Sequence, residues 1–377
     1  MHNIISDKNL HIITLNIPYP PDYGGMIDSF HRIRSLHKIG IDIYLHCFEY
    51  GRSHSHELES SCKTVNYYLR KTSISNHFSI LPFNVFSRRS DQLLKNLVKD
   101  NFPILFDGLH TTYYLDHPAL SGRKKIVRVH NIEHLYFNTL AEYENNPIRK
   151  LYFLIEAEKL NHYEKIVNKA DNLLSVSEID QEYFEGKYHN SVLIPSFHPF
   201  DQVECLQGTG EYIIYHGDLS VNENINACEF LISEIFSKVP YSCIIAGKNP
   251  PEQLKTKAAG YKNISIIANP DNDQMSGLIK NAQLNLLFTL SVNGLKLKLL
   301  ISLFSGRHCL VNRNMTKGTL LSPACIIEDS ADGIIDKIHH LMKQPFTEGM
   351  IAERERMLLI YSNSVNAKRL SRLIFPD

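Results

Sequence analysis

The sequence has no excess of charge of either sign. Its 377 residues include 40 Lys and Arg and 40 Asp and Glu, so the formal net charge is zero. A protein that holds nucleic acid mainly through the phosphate backbone carries a clear basic excess. The balance therefore argues against nucleic acid as the dominant partner and leaves room only for a local basic patch.

Paired cysteines and targeting signals are also missing. None of the seven cysteines stands in a C-x-x-C pair, and several lie inside apolar runs, which favours buried, reduced thiols and a reducing compartment. The first eleven residues contain no apolar run before a cleavage site, so we expect no signal peptide and a cytoplasmic protein.

Several catalytic signatures are absent. There is no H-E-x-x-H or other zinc spacing among the 19 histidines, and no G-x-S-x-G elbow, so we expect no structural metal and no hydrolase nucleophile of that type. A G-x-G-x-x-G fingerprint is missing as well, which gives a nicotinamide cofactor little support.

One apolar run, at 284–304, has the length of a membrane span. It contains Asn293, Gly294, Lys296 and Lys298, and a lysine near a bilayer centre costs roughly 2.5–3.5 kcal/mol. A buried strand, a loop and a helix in series fit the run better.

What the sequence does contain is an alternation of strand and helix patterns from end to end, typical of α/β layers with parallel sheets. The pattern restarts after a Pro/Gly-interrupted stretch at 192–210, so we expect two domains of similar build, 1–198 and 199–361. The predicted strands are 10–17, 41–48, 65–69, 104–107, 125–130, 171–177, 211–217, 241–247, 263–268, 282–288 and 308–312. One long helix is predicted at 147–169, and the stretch 348–374 is predicted to be helical.

Ligands of open α/β sheets bind beyond the carboxyl ends of the strands, and four segments fall there. Gly24 and Gly25 follow the first strand, where glycines let the backbone approach a phosphate at a helix N-terminus. His130 ends another strand and could polarise a sugar hydroxyl. Each also has a structural interpretation, as an ordinary loop or as a histidine that holds a loop.

The other two segments belong to the second half. Gly217 permits a tight exit from the first strand of that half, and Asn224 stands at the following helix start, where it would serve equally well as a cap. Lys296 and Lys298 fall near the start of a helix, where lysine opposes the helix dipole. A bound diphosphate would offset this unfavourable interaction. The alternative is that both lysines extend along an amphipathic helix into solvent, which needs no ligand.

These segments together resemble the GT-B glycosyltransferases, specifically glycosyltransferase family 4, over nearly the whole chain. The resemblance rests on PPDYGGMIDSFHRIRSLHKIGIDIYLHCF, VRVHNIEHLYFNTLAEYENN with FLIEAEKLNHYEK and DNLLSVSEIDQEYF, YHGDLSVNENINACEFLI, and NGLKLKLLISLFSGRHCLVN, in that order. It implies an α/β fold of two Rossmann-like domains with parallel sheets that face a cleft, and a C-terminal helix, 362–377, that crosses back to the first domain.

The resemblance also implies an activity. A hexose, with mannose as one candidate, would pass from a nucleotide diphosphate sugar to a glycan or lipid-linked glycan, with retention at the anomeric carbon and without a metal or other cofactor. His130 and Lys298 would be catalytic. The donor would be bound by Gly24, Gly25, Gly217, Asn224, Lys248, Asn293, Gly294, Lys296 and Lys298.

The sequence departs from the family at two places. Ile301 stands where the family has a glutamate that holds the ribose hydroxyls, and the family's arginine has no counterpart in GDLSVNEN (217–224). Isoleucine cannot accept those hydrogen bonds. Either another group holds the ribose, or nucleotide affinity is weaker, or activity is lost. A catalytically degenerate carbohydrate-binding scaffold and a sugar-nucleotide epimerase are therefore the rival hypotheses.

The acceptor leaves little trace in the sequence. The segment NHFSILPFNVFSRRS (76–90) mixes phenylalanines with Arg88 and Arg89. It is either a partly buried loop or a peripheral contact with the inner face of an anionic membrane that carries a lipid-linked acceptor.

Overall fold

The chain forms two compact α/β units. We analysed a computed structural model, which describes residues 8–290 and 297–376. Within these, an N-terminal unit consists of residues 8–199 and 361–376, and a C-terminal unit consists of residues 200–290 and 297–360.

The N-terminal unit is built on a seven-stranded sheet with the order β3-β2-β1-β4-β5-β6-β7, and every neighbouring pair is parallel. Its strands are β1 Lys8–Thr14, β2 Ile41–Glu49, β3 Thr64–Leu69, β4 Ile104–Asp107, β5 Lys125–Val129, β6 Asn172–Ser175 and β7 Ser191–Leu193. Its first helices are α1 Gly24–Lys38, α2 His56–Glu59, α3 Phe83–Phe86, α4 Asp91–Leu97, α5 Glu133–Glu142, α6 Pro147–Tyr163 and α7 Glu178–Tyr188.

The C-terminal unit repeats the plan with six parallel strands in the order β10-β9-β8-β11-β12-β13. The strands are β8 Tyr212–Asp218, β9 Ser242–Lys248, β10 Ile264–Ala268, β11 Leu284–Leu287, β12 His308–Val311 and β13 Ile326–Ile327. The helices are α8 Asn222–Phe230, α9 Glu252–Ala259, α10 Asn272–Asn281, α11 Leu297–Ser305, α12 Arg313–Thr316, α13 Ala331–Leu341 and α14 Glu348–Leu358. The last helix, α15 Asn363–Ile374, belongs to the N-terminal unit and packs on α1.

Strand order places the candidate sites. In the first sheet the direction of winding reverses between β1 and β4, and in the second between β8 and β11. At such a switch point the loops after the two strands diverge and leave a crevice at the carboxyl edge. The loops that precede α1 and α8 are each one wall of such a crevice.

The sequence patterns predicted most elements and missed some limits. The helix expected at 147–169 ends at Tyr163, and Glu164–Lys169 is a 3-10 turn. The stretch expected to be helical at 348–374 consists of two helices separated by the 3-10 turn Leu359–Tyr361. Strand β7 overlaps the start of the stretch expected to be a linker, because Ser191–Leu193 pairs with β6 at the sheet edge.

Local chemistry explains several helix starts. The Ser177 hydroxyl accepts the Asp180 N–H at 3.1 Å and caps the start of α7. Asn146 accepts two N–H groups ahead of Pro147, the first residue of α6, where proline loses no helix hydrogen bond. Among the described residues, no helix has the length and apolar character needed to cross a bilayer.

A row of side-chain hydrogen bonds crosses β1, β2 and β3. His11 Nε2 lies 2.9 Å from an Asp100 carboxylate oxygen, His11 Nδ1 lies 2.9 Å from His46 Nε2, and His46 Nδ1 lies 2.7 Å from the Tyr68 hydroxyl. The row is complete when both imidazoles are neutral, since each ring then donates once and accepts once. We call His11 and His46 the histidine pair.

Candidate functional site

Three of the predicted donor-binding residues meet at the carboxyl end of β8. Gly217 is the second-to-last residue of the strand. Asn224 is in the first turn of α8, where its Nδ2 donates to the Asp218 carbonyl at 2.8 Å. Lys298, in the first turn of α11, donates to the Asn224 side-chain oxygen at 3.2 Å. Gly217 leaves room for this arrangement, because a Cβ there would lie 3.5 Å from the Asn224 amide carbon.

Lys298 is a partly buried cation with a neutral partner. Its ammonium lies 5.3 Å from the centre of the Tyr215 ring, and the Tyr215 hydroxyl also donates to Asn224, at 3.2 Å. Burial lowers the pKa of Lys298, and the charge of Glu223 opposes that shift. In the described part of the chain no carboxylate lies within ion-pair distance of Lys298. The ammonium therefore has no direct ion pair among the described residues, and an anion in contact with it would stabilise its charge.

Glu223 and Thr289 complete this crevice, and the sequence analysis did not single them out. The Thr289 hydroxyl, just beyond β11, donates to the Glu223 carboxylate. The Thr289 backbone exchanges two hydrogen bonds with the Asn312 side chain, at 3.1 and 2.8 Å. The loops after β8, β11 and β12 are thus tied together. An acidic residue at a helix start was visible in the sequence, but nothing there marked Thr289.

His216 holds α11 against β8. Its Nε2 lies 2.9 Å from the Ser302 hydroxyl, and both side chains are buried. Burial, with a further contribution from the charge of Lys298, lowers the pKa of His216 to about 3. The imidazole is therefore neutral at physiological pH, and it fixes the helix that carries Lys298.

Lys248 and Ile301 occupy different surroundings. Lys248 ends β9, in register with Asp218 of β8, and its carbonyl accepts the Leu219 N–H at 2.9 Å. Ile301 packs against an apolar cluster that includes Ile214, so its position is part of the packing between α11 and the sheet. The predicted donor ligands Asn293, Gly294 and Lys296 lie outside the described residues.

In the N-terminal unit, His130 belongs to a buried charged network at the switch point between β1 and β4. It is only 6% exposed, and its Nε2 lies 2.9 Å from the Asp107 carboxylate at the end of β4. Arg32 contacts Asp107 and Asp28, each at 2.5 Å. Arg128 binds both oxygens of Asp28 at 2.8 Å.

The network is balanced by its own arginines. Burial alone would raise the pKa of Asp107, but the charge of Arg32 and the hydrogen bonds of His130 and Ser29 lower it well below its ordinary range. The donor atoms of Asp28, Asp107 and His130 lie within 4.8 Å of one another, a spacing that could hold a metal ion. The two guanidinium groups already supply the positive charge that such an ion would bring.

Gly24 and Gly25 are the first residues of α1, one helical turn from this network. The Ser29 hydroxyl donates to the Gly25 carbonyl at 2.8 Å and also contacts the Asp107 carboxylate. The first turn of α1 contains no acidic residue, and its N-cap, Tyr23, makes no side-chain cap hydrogen bond. The N-terminal N–H groups of this helix are therefore not capped by a side chain. The structure brings Gly24, Gly25 and His130 to one edge of the sheet.

The segment 76–90 divides into two parts with different exposure. Phe78 is 85% exposed and Ile80 is 94% exposed, whereas Phe83 is buried. Arg88 is buried as well, and Arg89 stacks on the Phe86 ring at 3.6 Å. Phe83 and Arg88 are therefore buried as expected for a partly buried loop, whereas Phe78 and Ile80 face solvent.

Comparisons with known proteins agree with this architecture. No family model matches the sequence. An uncharacterized 44.6 kDa protein in the cps region of Klebsiella pneumoniae is 27% identical over 312 residues, which are 76% of this chain and 78% of that protein.

Solved structures of glycosyltransferases superpose over almost the full length. A TarM mutant of S. aureus in complex with Fondaparinux, alpha-GlcNAc-glycerol and UDP has a TM-score of 0.68 at 10% identity and covers 97% of this chain and 99% of its own. A glycosyltransferase of Rickettsia africae has a TM-score of 0.63 at 12% identity and covers 99% of this chain and 100% of its own. Anabaena HepE in complex with UDP and glucose has a TM-score of 0.62 at 8% identity and covers 98% of this chain and 95% of its own. The predicted fold class, α/β with the two parallel-sheet units of GT-B proteins, is confirmed.

Proposed function

We propose that the protein is a glycosyltransferase that moves a hexose from a nucleotide diphosphate sugar to a glycan or lipid-linked glycan, in the cytoplasm and as part of polysaccharide biosynthesis. The observation that carries the proposal is Lys298, a partly buried ammonium with a neutral partner at the carboxyl edge of β8. Structural neighbours of the same fold in complex with UDP support this type of donor.

A leaving diphosphate is the anion that fits Lys298 best. Cleavage of the bond between sugar and phosphate places new negative charge on the diphosphate. A preorganised cation in a site with little water stabilises such charge by several kcal/mol. Because burial has already lowered the pKa of Lys298, a bound diphosphate would raise it again and hold the ammonium charged throughout the reaction.

His130, Gly24 and Gly25 have the chemistry for supporting roles. The His130 Nδ1 has no hydrogen-bond partner and lies 4.0 Å from the Asp28 carboxylate, but it is fully enclosed, so a sugar hydroxyl would reach it only after neighbouring side chains move. The uncapped N–H groups at Gly24 and Gly25 suit a phosphate or hydroxyl oxygen. Retention at the anomeric carbon, a hexose donor and independence of metal are further parts of the proposal, taken from the family resemblance.

Ile301 limits what the site offers the nucleoside. Its side chain packs against Ile214, Ala246 and Ile279 and provides no acceptor for ribose hydroxyls. We therefore expect donor affinity to depend mainly on the diphosphate and its contact with Lys298. UDP should bind much more tightly than uridine.

Calorimetry with a panel of nucleotides and nucleotide sugars tests the proposal. Lys298→Ala should weaken binding of the preferred nucleotide diphosphate about 10- to 100-fold, as expected for the loss of a charge-assisted hydrogen bond. Lys262→Ala is the matched control, because Lys262 is an exposed lysine of the same unit. An unchanged dissociation constant in the Lys298 variant would remove that residue from the site.

An activity assay with the same panel separates the rival functions. Slow hydrolysis of one donor, or transfer to a glycan, supports a transferase. A product with one inverted ring stereocentre would identify an epimerase instead. Binding of a sugar without turnover of any donor would favour the carbohydrate-binding scaffold.

The exposed apolar surface beside α6 supports a peripheral membrane contact as part of this function. Besides Phe78 and Ile80, the large exposed apolar side chains here are Ile74, Ile148, Leu151, Leu154 and Ile155. The segment 74–80 packs against α6, since Lys159 of α6 donates to the His77 carbonyl at 3.0 Å. Exposed basic side chains, Lys71 and Lys150, flank them and suit anionic headgroups.

Liposome sedimentation tests this contact. The wild-type chain should co-sediment with anionic vesicles at low salt, and a Phe78→Ser/Ile80→Ser double variant should lose most of that binding. Leu359→Ser/Val365→Ser is the control, since both of those apolar side chains are also exposed. Wild-type protein that stays in the supernatant would rule the membrane contact out.

A further inference from the structure

Arg88 is a buried arginine without a carboxylate partner. It is only 4% exposed, its Nε donates to the Leu15 carbonyl at 2.9 Å, and its Nη1 donates to the Asn84 carbonyl at 2.5 Å. Its Nη2 has no protein acceptor among the described residues, and it is not one of the fully enclosed nitrogens that lack a partner. Nη2 therefore keeps N–H groups that no described protein atom accepts and that a ligand could take.

Arg70 lies close by and also lacks a carboxylate partner among the described residues. Its Nε donates to the Ser87 hydroxyl at 3.0 Å, and its Nη2 donates to the Asn84 side-chain oxygen at 2.6 Å. Its guanidinium stacks on the Tyr50 ring, 4.6 Å from the ring centre. In the described part of the chain neither arginine has a carboxylate within ion-pair distance, and their acceptors are neutral.

Burial and mutual repulsion both act on Arg88. Burial lowers the pKa of Arg88 well below its ordinary range, and repulsion from Arg70 adds to the shift, while Tyr23 and Glu133 oppose it. Glu133 itself lies against His110, at 3.3 Å. Arg52, the third basic group of this region, is paired with Asp22.

The buried network around Asp28 provides an internal comparison. There, each fully buried arginine has a carboxylate at 2.5 to 2.8 Å, as a buried charge requires. The same unit thus compensates its structural arginines but leaves Arg70 and Arg88 uncompensated. The simplest completion is an anion that comes from outside the chain.

The position of the pair is that of a ligand site. Arg88 binds the carbonyl that follows β1, Tyr50 follows β2, and Arg70 follows β3, so the three adjacent loops converge at the carboxyl edge of the sheet. Ligands of open parallel sheets bind at this edge. The planar guanidinium fork of arginine matches the oxygens of a phosphate or a carboxylate.

We propose that Arg70 and Arg88 bind an oxyanion of the acceptor substrate, so that the acceptor is an acidic glycan or a phosphate-linked one. This inference rests on the proposed glycosyl transfer and adds the charge of the acceptor to it. Arg88, held by two carbonyls, is the fixed element, and Arg70, on a more exposed loop, closes on the anion. A phosphate of a lipid-linked glycan and a carboxylate of an acidic sugar present the same chemistry to this pair.

Binding of small anions to the Lys298→Ala chain tests the proposal, because that background removes the donor-site lysine. The probes are inorganic phosphate, methyl phosphate and glucuronate. Their binding is measured by calorimetry and by the shift in the protein's melting temperature. At least one probe should bind, and Arg70→Gln and Arg88→Gln should each weaken it about tenfold or more. Arg372→Gln, an exposed arginine of the same unit, should leave it unchanged.

The outcomes separate this proposal from the donor site. No binding of any probe, or binding that survives Arg70→Gln, would overturn it, and Arg70 decides the matter even if the Arg88 variant does not fold. If nucleotides fail to bind the wild-type chain while the probes bind through Arg70, the oxyanion site stands and the proposed transferase function fails. Preference for methyl phosphate over glucuronate indicates a phosphate-linked acceptor, and the reverse indicates an acidic sugar.

Discussion

Removal of Arg128 should destabilise the N-terminal unit more than any surface change. Its side chain is fully buried, and it binds both oxygens of Asp28 and the Ile194 carbonyl, each at 2.8 Å. In Arg128→Met the aliphatic part of the side chain is largely kept, but Asp28 loses two charge-assisted hydrogen bonds and the carbonyl loses its donor. Breaking a buried ion pair in this way costs about 3–5 kcal/mol.

The structure places the expected loss near the lower end of that range. Asp28 keeps a second arginine, Arg32, at 2.5 Å, and it still accepts the Phe197 N–H at 2.8 Å. We therefore expect the free energy of unfolding to fall by about 3 kcal/mol. In Arg128→Met/Asp28→Asn the buried carboxylate that lost one of its two arginines is neutral, so part of the loss should be recovered.

Urea denaturation followed by circular dichroism measures the change, and hydrogen exchange of 104–107 and 125–129 shows that it lies in the N-terminal unit. Arg313→Met is the control. Arg313 forms an exposed pair with Asp329 at 3.2 Å, so its removal should cost less than about 1 kcal/mol. A loss below about 1 kcal/mol in Arg128→Met would refute the view that the network needs both arginines.

Two further predictions concern stability. Burial lowers the pKa of both members of the histidine pair, so below about pH 6.5 the unfolded state binds more protons than the folded state. The free energy of unfolding should therefore be highest above that pH. Between pH 6.5 and 5 it should fall by up to about 1.4 kcal/mol per pH unit for each of His11 and His46. A profile of unfolding free energy that stays flat over this range would contradict the neutral pair. Gly247→Ala should cost about 1–3 kcal/mol, because its Cβ would lie 2.0 Å from the Gly217 carbonyl oxygen in the neighbouring strand. Gly277→Ala, in a helix and with open space around the new methyl, should be neutral or slightly stabilising, and equal melting temperatures of the two variants would count against the close strand approach.

Much of the fold could be predicted because its signals are local. Buried parallel strands appear as short apolar runs, and helix starts show their capping residues, as at Ser177 and Asn146. The errors fall where tertiary contacts decide. β7 is a strand because an edge of the sheet was available to Ser191–Leu193, and nothing in its three residues requires that.

The candidate site divides in the same way. Sequence position alone placed Gly217, Asn224 and Lys298 at strand ends and helix starts, and the structure brings these three into contact. Thr289 and Glu223 are 66 residues apart, and their contact exists only because β8 and β11 are neighbours at the switch point. A contact between distant loops leaves no periodic pattern in the chain.

The sequence by itself determined the alternating elements, the doubled α/β plan and the strand ends at which ligands bind, since these follow from apolar periodicity and turn chemistry. Only the tertiary structure decided which charges are compensated. Arg88 and Arg89 are adjacent in the sequence, yet the first is buried without a carboxylate and the second packs on Phe86 at the surface of α3. The physical reason is that the electrostatic cost of a charge depends on the groups that surround it in space, and chain neighbours supply few of them.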